Sequence, residues 1–415
     1  MSMATKATHI ERRDFIKKGL AGLAAVGAVP GAVRAAALGK ATEGGPGRLA
    51  GREAAKPILR TLGRTGLEMP VVSMGVMNAD NPNLVREALD SGIVMLDTAY
   101  VYQRGRNEQM IGEVIKGRPR DSYILATKVP GSNREKGMAE QPADFQIKSF
   151  LDKFDLSLER LGLDQVEILY LHSPDTVKDT LAEPMLEALT RAKKSGKARY
   201  VGLSTHRSEP DVIRAAVKAG VYDVVLTAYN FRQDHRDEVR KAIAEAAGAG
   251  LGVVAMKTQA GVYWDKEKQQ PINMRAALKW ALNDTNVTTA IPGFTTFDQL
   301  KEDLSVWSDL TMTEQEIRDL KFGEQAAGLY CQQCGQCESG CARGLPIPSL
   351  MRGYMYAYGY RNLQAAHELV GSLEVAGNPC GSCASCSAAC AKGFDLRGRV
   401  SDIVRLKAVP GDFFA

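Results

Sequence analysis

Two runs of cysteine near the C-terminal end of this 415-residue chain have the spacing of iron–sulfur ligands. Each run reads Cys-x₂-Cys-x₂-Cys-x₃-Cys, a spacing that lets consecutive thiolates converge on one [4Fe–4S] cluster from a tight loop. The members are Cys331, Cys334, Cys337, Cys341, Cys380, Cys383, Cys386 and Cys390. The repeated spacing predicts two [4Fe–4S] clusters, which would carry single electrons.

Two other uses of these cysteines stay open at this level. Four disulfides would suit a small exported domain. Zinc would use four cysteines per site and usually leaves a longer gap between cysteine pairs. Cysteines only three positions apart rarely pair with each other several times over, and the doubled spacing is regular. The pattern therefore favours clusters over disulfides and zinc.

A second set of reactive side chains follows short apolar runs in the first three quarters of the chain: Asp97, Tyr102, Lys128 and His172. A tyrosine is a weak acid, with an ordinary pKa of about 10. A neighbouring lysine would lower that pKa, and an aspartate would hold the lysine in place and charged. A histidine beside the phenol can orient a carbonyl oxygen or relay a proton. The set predicts proton transfer to or from an oxygen.

The elements that must position this set alternate between apolar runs and amphipathic stretches, which predict strands and helices. Eight candidate strands lie between Ile58 and about Asp309: residues 71–76, 93–97, 123–128, 166–172, 200–204, 224–229, 252–257 and 288–293. Eight βα units predict an α/β fold, the (β/α)₈ TIM barrel, whose catalytic groups lie at the C-terminal strand ends. An open doubly wound sheet is less favoured, because no Gly-x-Gly-x-x-Gly follows the first strand. Residues 58–70 predict a β-hairpin closing the barrel floor.

Several segments resemble the aldo-keto reductases: residues 97–116, 125–129, 169–175, 197–206 and 291–304. The similarity covers roughly residues 57–307. It implies that Asp97, Tyr102, Lys128 and His172 form a catalytic tetrad. Tyr102 would then protonate a carbonyl oxygen while a nicotinamide cofactor delivers hydride to carbon, so the partner would be a small carbonyl or alcohol substrate.

The resemblance also implies positions that contact the cofactor: Ser204, Thr205, Met256, Lys257, Gly293, Glu302 and Asp303. Some of these depart from the family pattern. Met256 replaces the aromatic residue that usually stacks on nicotinamide, and Gly293 and Gln299 stand where NADP-binding members place basic side chains. The chemistry is expected to be intact, whereas the choice between NAD and NADP stays open.

The C-terminal part, residues 311–415, resembles two-cluster bacterial ferredoxins, in which the fourth cysteine of each run ligates the other cluster. A similar cysteine-bearing extension is seen in one branch of the aldo-keto reductases. Residues 347–370, between the runs, are expected to be helical. A redox protein partner is a possible electron source or sink. The alternative hypothesis is a barrel without catalysis that serves as an electron-transfer or binding module.

The N-terminal end predicts export. Arg12 and Arg13 precede an apolar stretch from Gly19 to Val33, which resembles a twin-arginine signal peptide over residues 1–37. Residues 38–56 predict a flexible tether, and the barrel would occupy 57–310. We therefore expect a periplasmic or otherwise exported protein without a stable membrane span after cleavage. The alternative is an Ala/Gly-rich arm on a cytosolic protein. A net charge of +5 without a clustered basic face gives no sign of nucleic-acid binding.

Overall fold

The computed structural model describes residues 56–135, 137–261, 269–325 and 328–414. The predicted signal peptide, and the predicted tether apart from residue 56, lie outside the described residues. Within the described residues, no helix is both long and apolar enough to cross a membrane.

Ten strands are present in the described residues. They are β1 Leu59–Thr61, β2 Glu68–Pro70, β3 Met74–Gly75, β4 Met95–Asp97, β5 Ile124–Pro130, β6 Val166–His172, β7 Ala198–Thr205, β8 Val224–Ala228, β9 Gly252–Met256 and β10 Thr289–Ala290. β1 and β2 pair antiparallel, and the other eight pair in parallel in sequence order. A parallel bridge between Val72 and Ala290 joins the two ends of the sheet. The predicted (β/α)₈ barrel and its N-terminal hairpin are confirmed.

The helices of the described residues alternate with the barrel strands and then continue beyond them. They are α1 Pro82–Asp90, α2 Arg106–Ile115, α3 Ala143–Leu161, α4 Val177–Thr180, α5 Glu183–Lys194, α6 Glu209–Ala219, α7 Arg236–Gly248, α8 Met274–Leu282, α9 Phe297–Leu304, α10 Glu314–Gln325, α11 Ile347–Tyr358, α12 Leu363–Ser372 and α13 Leu396–Ile403. The stretch 347–370, expected to be helical, is two helices. The break follows Tyr358: Arg361 has a positive φ of 54°, and the Asn362 side chain accepts from Ala365 N to begin α12.

Two apolar layers hold the barrel together. The interior is filled by side chains such as Met95, Tyr170 and Val254, so it is a packed core and not a channel. Outside the sheet, α3 buries Phe150 and Phe154 against the strands. Burial of such side chains contributes roughly 1.5–3 kcal/mol each. Because this core closes the barrel floor and wall, the strand ends at the other rim are free to carry polar groups.

The C-terminal segment after α10, which we call the tail (residues 328–414), has its own small core and packs on the barrel. α11, α12 and α13 bury a shared apolar cluster that includes Leu350, Val370 and Ile403. Polar contacts tie the tail to the barrel: ion pairs join Arg207 to Glu338 and Lys392 to Asp234, and the Asn362 amide donates to Asn78 Oδ1 at 2.9 Å. The tail therefore lies across the rim at which the strands end.

Candidate active site

The four residues predicted to form the tetrad lie at one rim of the barrel. β4 ends at Asp97, β5 carries Lys128 and β6 ends at His172. Tyr102 begins a short 3₁₀ turn, Tyr102–Gly105, in the loop after β4. Because neighbouring parallel strands pair in register, their C-terminal ends meet at the same edge. The structure thus brings all four together.

Lys128 is the centre of this group. Its ammonium donates to the Asp97 carboxylate, to the Thr98 carbonyl at 2.6 Å and to Tyr102 Oη at 3.2 Å. Lys128 and Asp97 are almost fully buried. The Tyr102 and His172 rings meet edge to face, with 5.9 Å between centroids. The phenol oxygen is therefore held between an ammonium and an imidazole.

Burial dominates the protonation of these groups. It raises the pKa of Asp97 and lowers the pKa of Lys128, while their ion pair opposes both changes. Burial and the Asp97 charge raise the pKa of Tyr102 well above 10. The net shift in the pKa of Tyr102 is therefore upward and not downward as expected, because burial and the Asp97 carboxylate outweigh the ammonium. Burial and neighbouring cations keep the pKa of His172 well below 6.5. At neutral pH the phenol carries its proton and the imidazole is neutral.

A cavity of about 1080 Å³ opens at this rim, and all four residues line it. Its size is at the upper end of the roughly 300–1,000 Å³ of ligand pockets. Six of the seven expected cofactor positions also line it: Ser204, Met256, Lys257, Gly293, Glu302 and Asp303. Thr205 differs, since it is fully buried and its hydroxyl donates to the Arg207 carbonyl. The cavity thus has room for a substrate beside an extended cofactor.

Part of the cavity wall comes from residues that the sequence analysis did not identify. Arg352 and Tyr356 on α11 reach it from the tail, and Arg134 reaches it from the loop after β5. Arg352 could have been recognised in the sequence, because it is an arginine within the apolar stretch of α11 and a buried charge needs a partner. Its direction toward the barrel could not be read from sequence. The site is built by the barrel and the tail jointly.

The eight cysteines form two groups, each combining the first three cysteines of one run with the fourth of the other. Electrostatic interactions define the first group as Cys331, Cys334, Cys337 and Cys390. They define the second as Cys380, Cys383, Cys386 and Cys341, and this group lines a cavity of about 50 Å³. Both groups lie on the tail. This arrangement matches the crossed pattern of two-cluster ferredoxins expected above.

The first cysteine group combines burial with close packing of its thiols. Burial and the neighbouring thiols raise the pKa of Cys331 to about 12 and of Cys337 to about 11. Thiolates packed this closely repel one another unless positive charge neutralises them. All eight cysteines are free of disulfides. Across the described residues, no group of three or more His, Cys, Asp or Glu side chains is arranged to hold a metal ion. A four-iron cluster is wider than one ion, so its ligands stand further apart.

Comparison with known proteins identifies the barrel. A sequence model of the Aldo/keto reductase family matches residues 74–276. An uncharacterized oxidoreductase of Bacillus subtilis is 27% identical over 63% of this chain and 95% of its own length. L-galactose dehydrogenase of Arabidopsis thaliana is 25% identical over 61% of this chain and 88% of its own. The holo form of an aldo-keto reductase from Bacillus halodurans shares the fold, with a TM-score of 0.52, 24% identity and coverage of 67% of this chain and all of that one.

Proposed function

Because the chain is an oxidoreductase of the aldo/keto reductase family, we propose that Tyr102, His172, Lys128 and Asp97 perform its chemistry on a small carbonyl or alcohol substrate. The observation that carries the proposal is the contact of Lys128 with both Asp97 and Tyr102 at the cavity wall. We further propose that the tail holds two [4Fe–4S] clusters, and that the protein is exported.

In the direction of carbonyl reduction, Tyr102 Oη is the acid. Its raised pKa keeps the proton on the phenol until a carbonyl oxygen accepts it. The neutral His172 ring beside it orients that oxygen. Lys128 stabilises the phenolate left after transfer, and Asp97 keeps Lys128 in position and charged. In the oxidative direction the same groups remove the proton from an alcohol.

A nicotinamide cofactor, when bound, supplies or accepts the hydride. The cavity fits such a group, since Met256 and Ser204 line it near the tetrad and Asp303 lines it from α9. Gly293 and Gln299 also line this region, and neither can pair with a 2′-phosphate as an arginine or lysine would. Comparison of NAD and NADP binding to the protein decides which of the two cofactors it uses.

The two cysteine groups fit [4Fe–4S] clusters, which transfer single electrons when present. Cys331 lines the large cavity together with Tyr330 and Gln332. The first group is therefore at the wall of the active-site cavity, and the second lies beyond it on the tail. This order supports an electron route between the cavity and a redox protein partner.

Export by the twin-arginine route is consistent with these cofactors. The pattern around Arg12 and Arg13 carries the proposal, since residues 1–37 lie outside the described residues. Clusters are assembled in the cytoplasm, and this route carries folded proteins with their cofactors in place. A fusion of residues 1–37 to a reporter, with Arg12 and Arg13 replaced by lysine as the control, tests it. Equal export of both fusions contradicts the twin-arginine assignment.

Replacement of Tyr102 by phenylalanine tests the catalytic proposal. We expect kcat/KM for aldehyde reduction with NADH or NADPH to fall by about 10²–10⁴, because the proton donor is lost. Tyr222→Phe is the matched control: its hydroxyl is also buried, but it donates to the Thr180 carbonyl away from the cavity. Unchanged turnover in Tyr102→Phe contradicts the assignment and favours a barrel without catalysis at this tyrosine.

A further inference from the structure

The side of the cavity next to His172 holds an excess of buried positive charge. Arg352, Arg134 and Lys257 all line the cavity, and Arg352 is 1% exposed. Arg352 and Arg134 both act electrostatically on His172, and Arg352 acts on Lys257. The three basic side chains are therefore close to one another and to the reacting groups; burial lowers the pKa of Lys257 to about 7, so Arg352 and Arg134 carry most of the positive charge.

The protein groups around these cations do not satisfy them. Arg352 Nη1 donates to His206 Nδ1, so His206 carries its proton on Nε2 and offers no negative charge. Arg352 Nε and Nη2, and the Lys257 ammonium, are buried with no hydrogen-bond partner among the described residues. These N–H groups are thus buried without an acceptor in the described part of the chain, and Asp175 Oδ1 beside Arg352 is buried without a donor, which is costly for buried groups.

The nearby carboxylates leave this excess in place. Asp175 lies 3.4 Å from Arg134 and 4.0 Å from Arg352, so one carboxylate faces two guanidinium groups. Glu209 also acts on Lys257, but its oxygens accept from Gln233 and pair with His235. The local balance stays positive, and the one edge of the Arg352 guanidinium that carries the unpaired Nε and Nη2 matches a carboxylate.

We propose that Arg352, with Arg134 and Lys257, binds a carboxylate on the substrate, so that the enzyme acts on oxo acids or carboxylate-bearing aldehydes and their alcohols. The inference rests on the proposed function, because it places the carboxylate beside a carbonyl held by Tyr102 and His172. It also gives the tail a role in substrate choice, since Arg352 lies on α11.

A matched pair of aldehydes tests the subsite. We expect wild-type protein to reduce 4-carboxybenzaldehyde with a kcat/KM about 10–100-fold above that of benzaldehyde, the range of one or two charge-assisted hydrogen bonds. Arg352→Met should bring the ratio close to one. Arg361→Met, which removes an exposed arginine at the same cavity, should keep the preference. An equal loss in both variants indicates general attraction of anions and overturns the proposal.

A binding measurement separates this inference from the proposed catalysis. Benzoate should raise the Tm of wild-type protein by about 2–4 °C at saturation, whereas benzamide should not. The shift should persist with NADH present; its loss would assign the cations to the cofactor pyrophosphate and overturn the subsite. Equal reduction of both aldehydes also overturns it, while leaving the Tyr102 proposal intact.

The binding test does not depend on turnover or on one variant. If neither aldehyde is reduced, a benzoate shift still supports the subsite and its absence still refutes it. If Arg352→Met does not fold, Lys257→Met removes a second cation of the same group and should reduce the shift. An unaltered shift in a folded Lys257→Met protein excludes Lys257 from the site.

Discussion

The barrel presents its tetrad on the ends of an eight-stranded sheet, whereas the tail carries its cysteines on loops between short helices. In the barrel, the apolar core and the sheet hydrogen bonds fix Asp97, Lys128 and His172. In the tail, the core of α11–α13 is small, and burial and the neighbouring cysteines raise the pKa of Cys331 to about 12. One site is preformed by packing, and we propose that the other is completed by a cluster.

The barrel and the tail also differ in where their charged side chains lie. The barrel buries an ion pair at its rim because the surrounding core compensates the cost of desolvation. The tail pairs Glu338 and Lys392 with barrel residues at its edges. The two regions meet at the cavity, and there the tail adds the buried Arg352, together with Tyr356, to the rim that the barrel makes.

Two buried lysines of the barrel offer the sharpest test of a preformed site. Lys128 pairs with Asp97 in the cavity, and Lys279 pairs with Glu316 at 3.0 Å, away from it. Breaking either pair should cost about 3–5 kcal/mol of stability. We expect Lys128→Met to lower kcat/KM at least about 10³-fold, and Lys279→Met to melt earlier with kcat/KM within a few fold of wild type. Equal activity losses in the two variants would mean that Lys128 acts through stability alone.

The sequence predicted the barrel more fully than the tail. Alternation of apolar runs and amphipathic stretches located all eight barrel strands, because this pattern reports which face of each element is buried. Cysteine spacing located the two runs, because ligand geometry is local. The docking of α11 on the rim and the crossing of Cys341 and Cys390 depend on contacts between distant segments, which no local pattern encodes.

Single residues of the site show the same limit. Asp97, Lys128 and His172 could be placed because each lies at or near the C-terminal end of a recognisable strand. Thr205 could not be placed, because its hydroxyl turns to a local carbonyl. The direction of the pKa shift of Tyr102 depends on how deeply the tail and loops bury it, and spacing does not report burial.

Pairs of cysteine replacements test which cysteines of the tail ligate the same proposed cluster. If the crossed grouping holds, Cys331→Ala with Cys390→Ala removes ligands from one cluster, and the iron content falls by about half. Cys331→Ala with Cys341→Ala then removes one ligand from each cluster, and nearly all iron is lost. Iron analysis of anaerobically purified protein, together with absorption near ~400 nm, measures this. The reverse ranking of the two double variants would show that each run binds its own cluster.

The smallest expected effect concerns Asp303, a buried carboxyl group at the rim whose ionisation destabilises the folded barrel. Burial raises the pKa of Asp303 to about 7, with Glu302 adding to the shift and the Gln259 amide opposing it. The folded state therefore binds a proton that the unfolded state has lost above about pH 4, so this group lowers stability as pH rises from about 4 to 7. Asp303→Asn removes the effect.

We accordingly expect the Tm of Asp303→Asn to exceed that of wild type, by an amount that grows between pH 5.5 and pH 8 and reflects about 1.4 kcal/mol per pKa unit. Asp298→Asn is the matched control, since that carboxylate is exposed on the same helix, does not contribute to the Asp303 shift and should show no comparable pH-dependent gain. A Tm difference that is constant with pH would mean that Asp303 keeps an ordinary pKa. Ionisation of Asp303 would then not destabilise the barrel. The buried charges of Lys128 and Lys279, each paired with a carboxylate, would be the ones that the barrel accommodates.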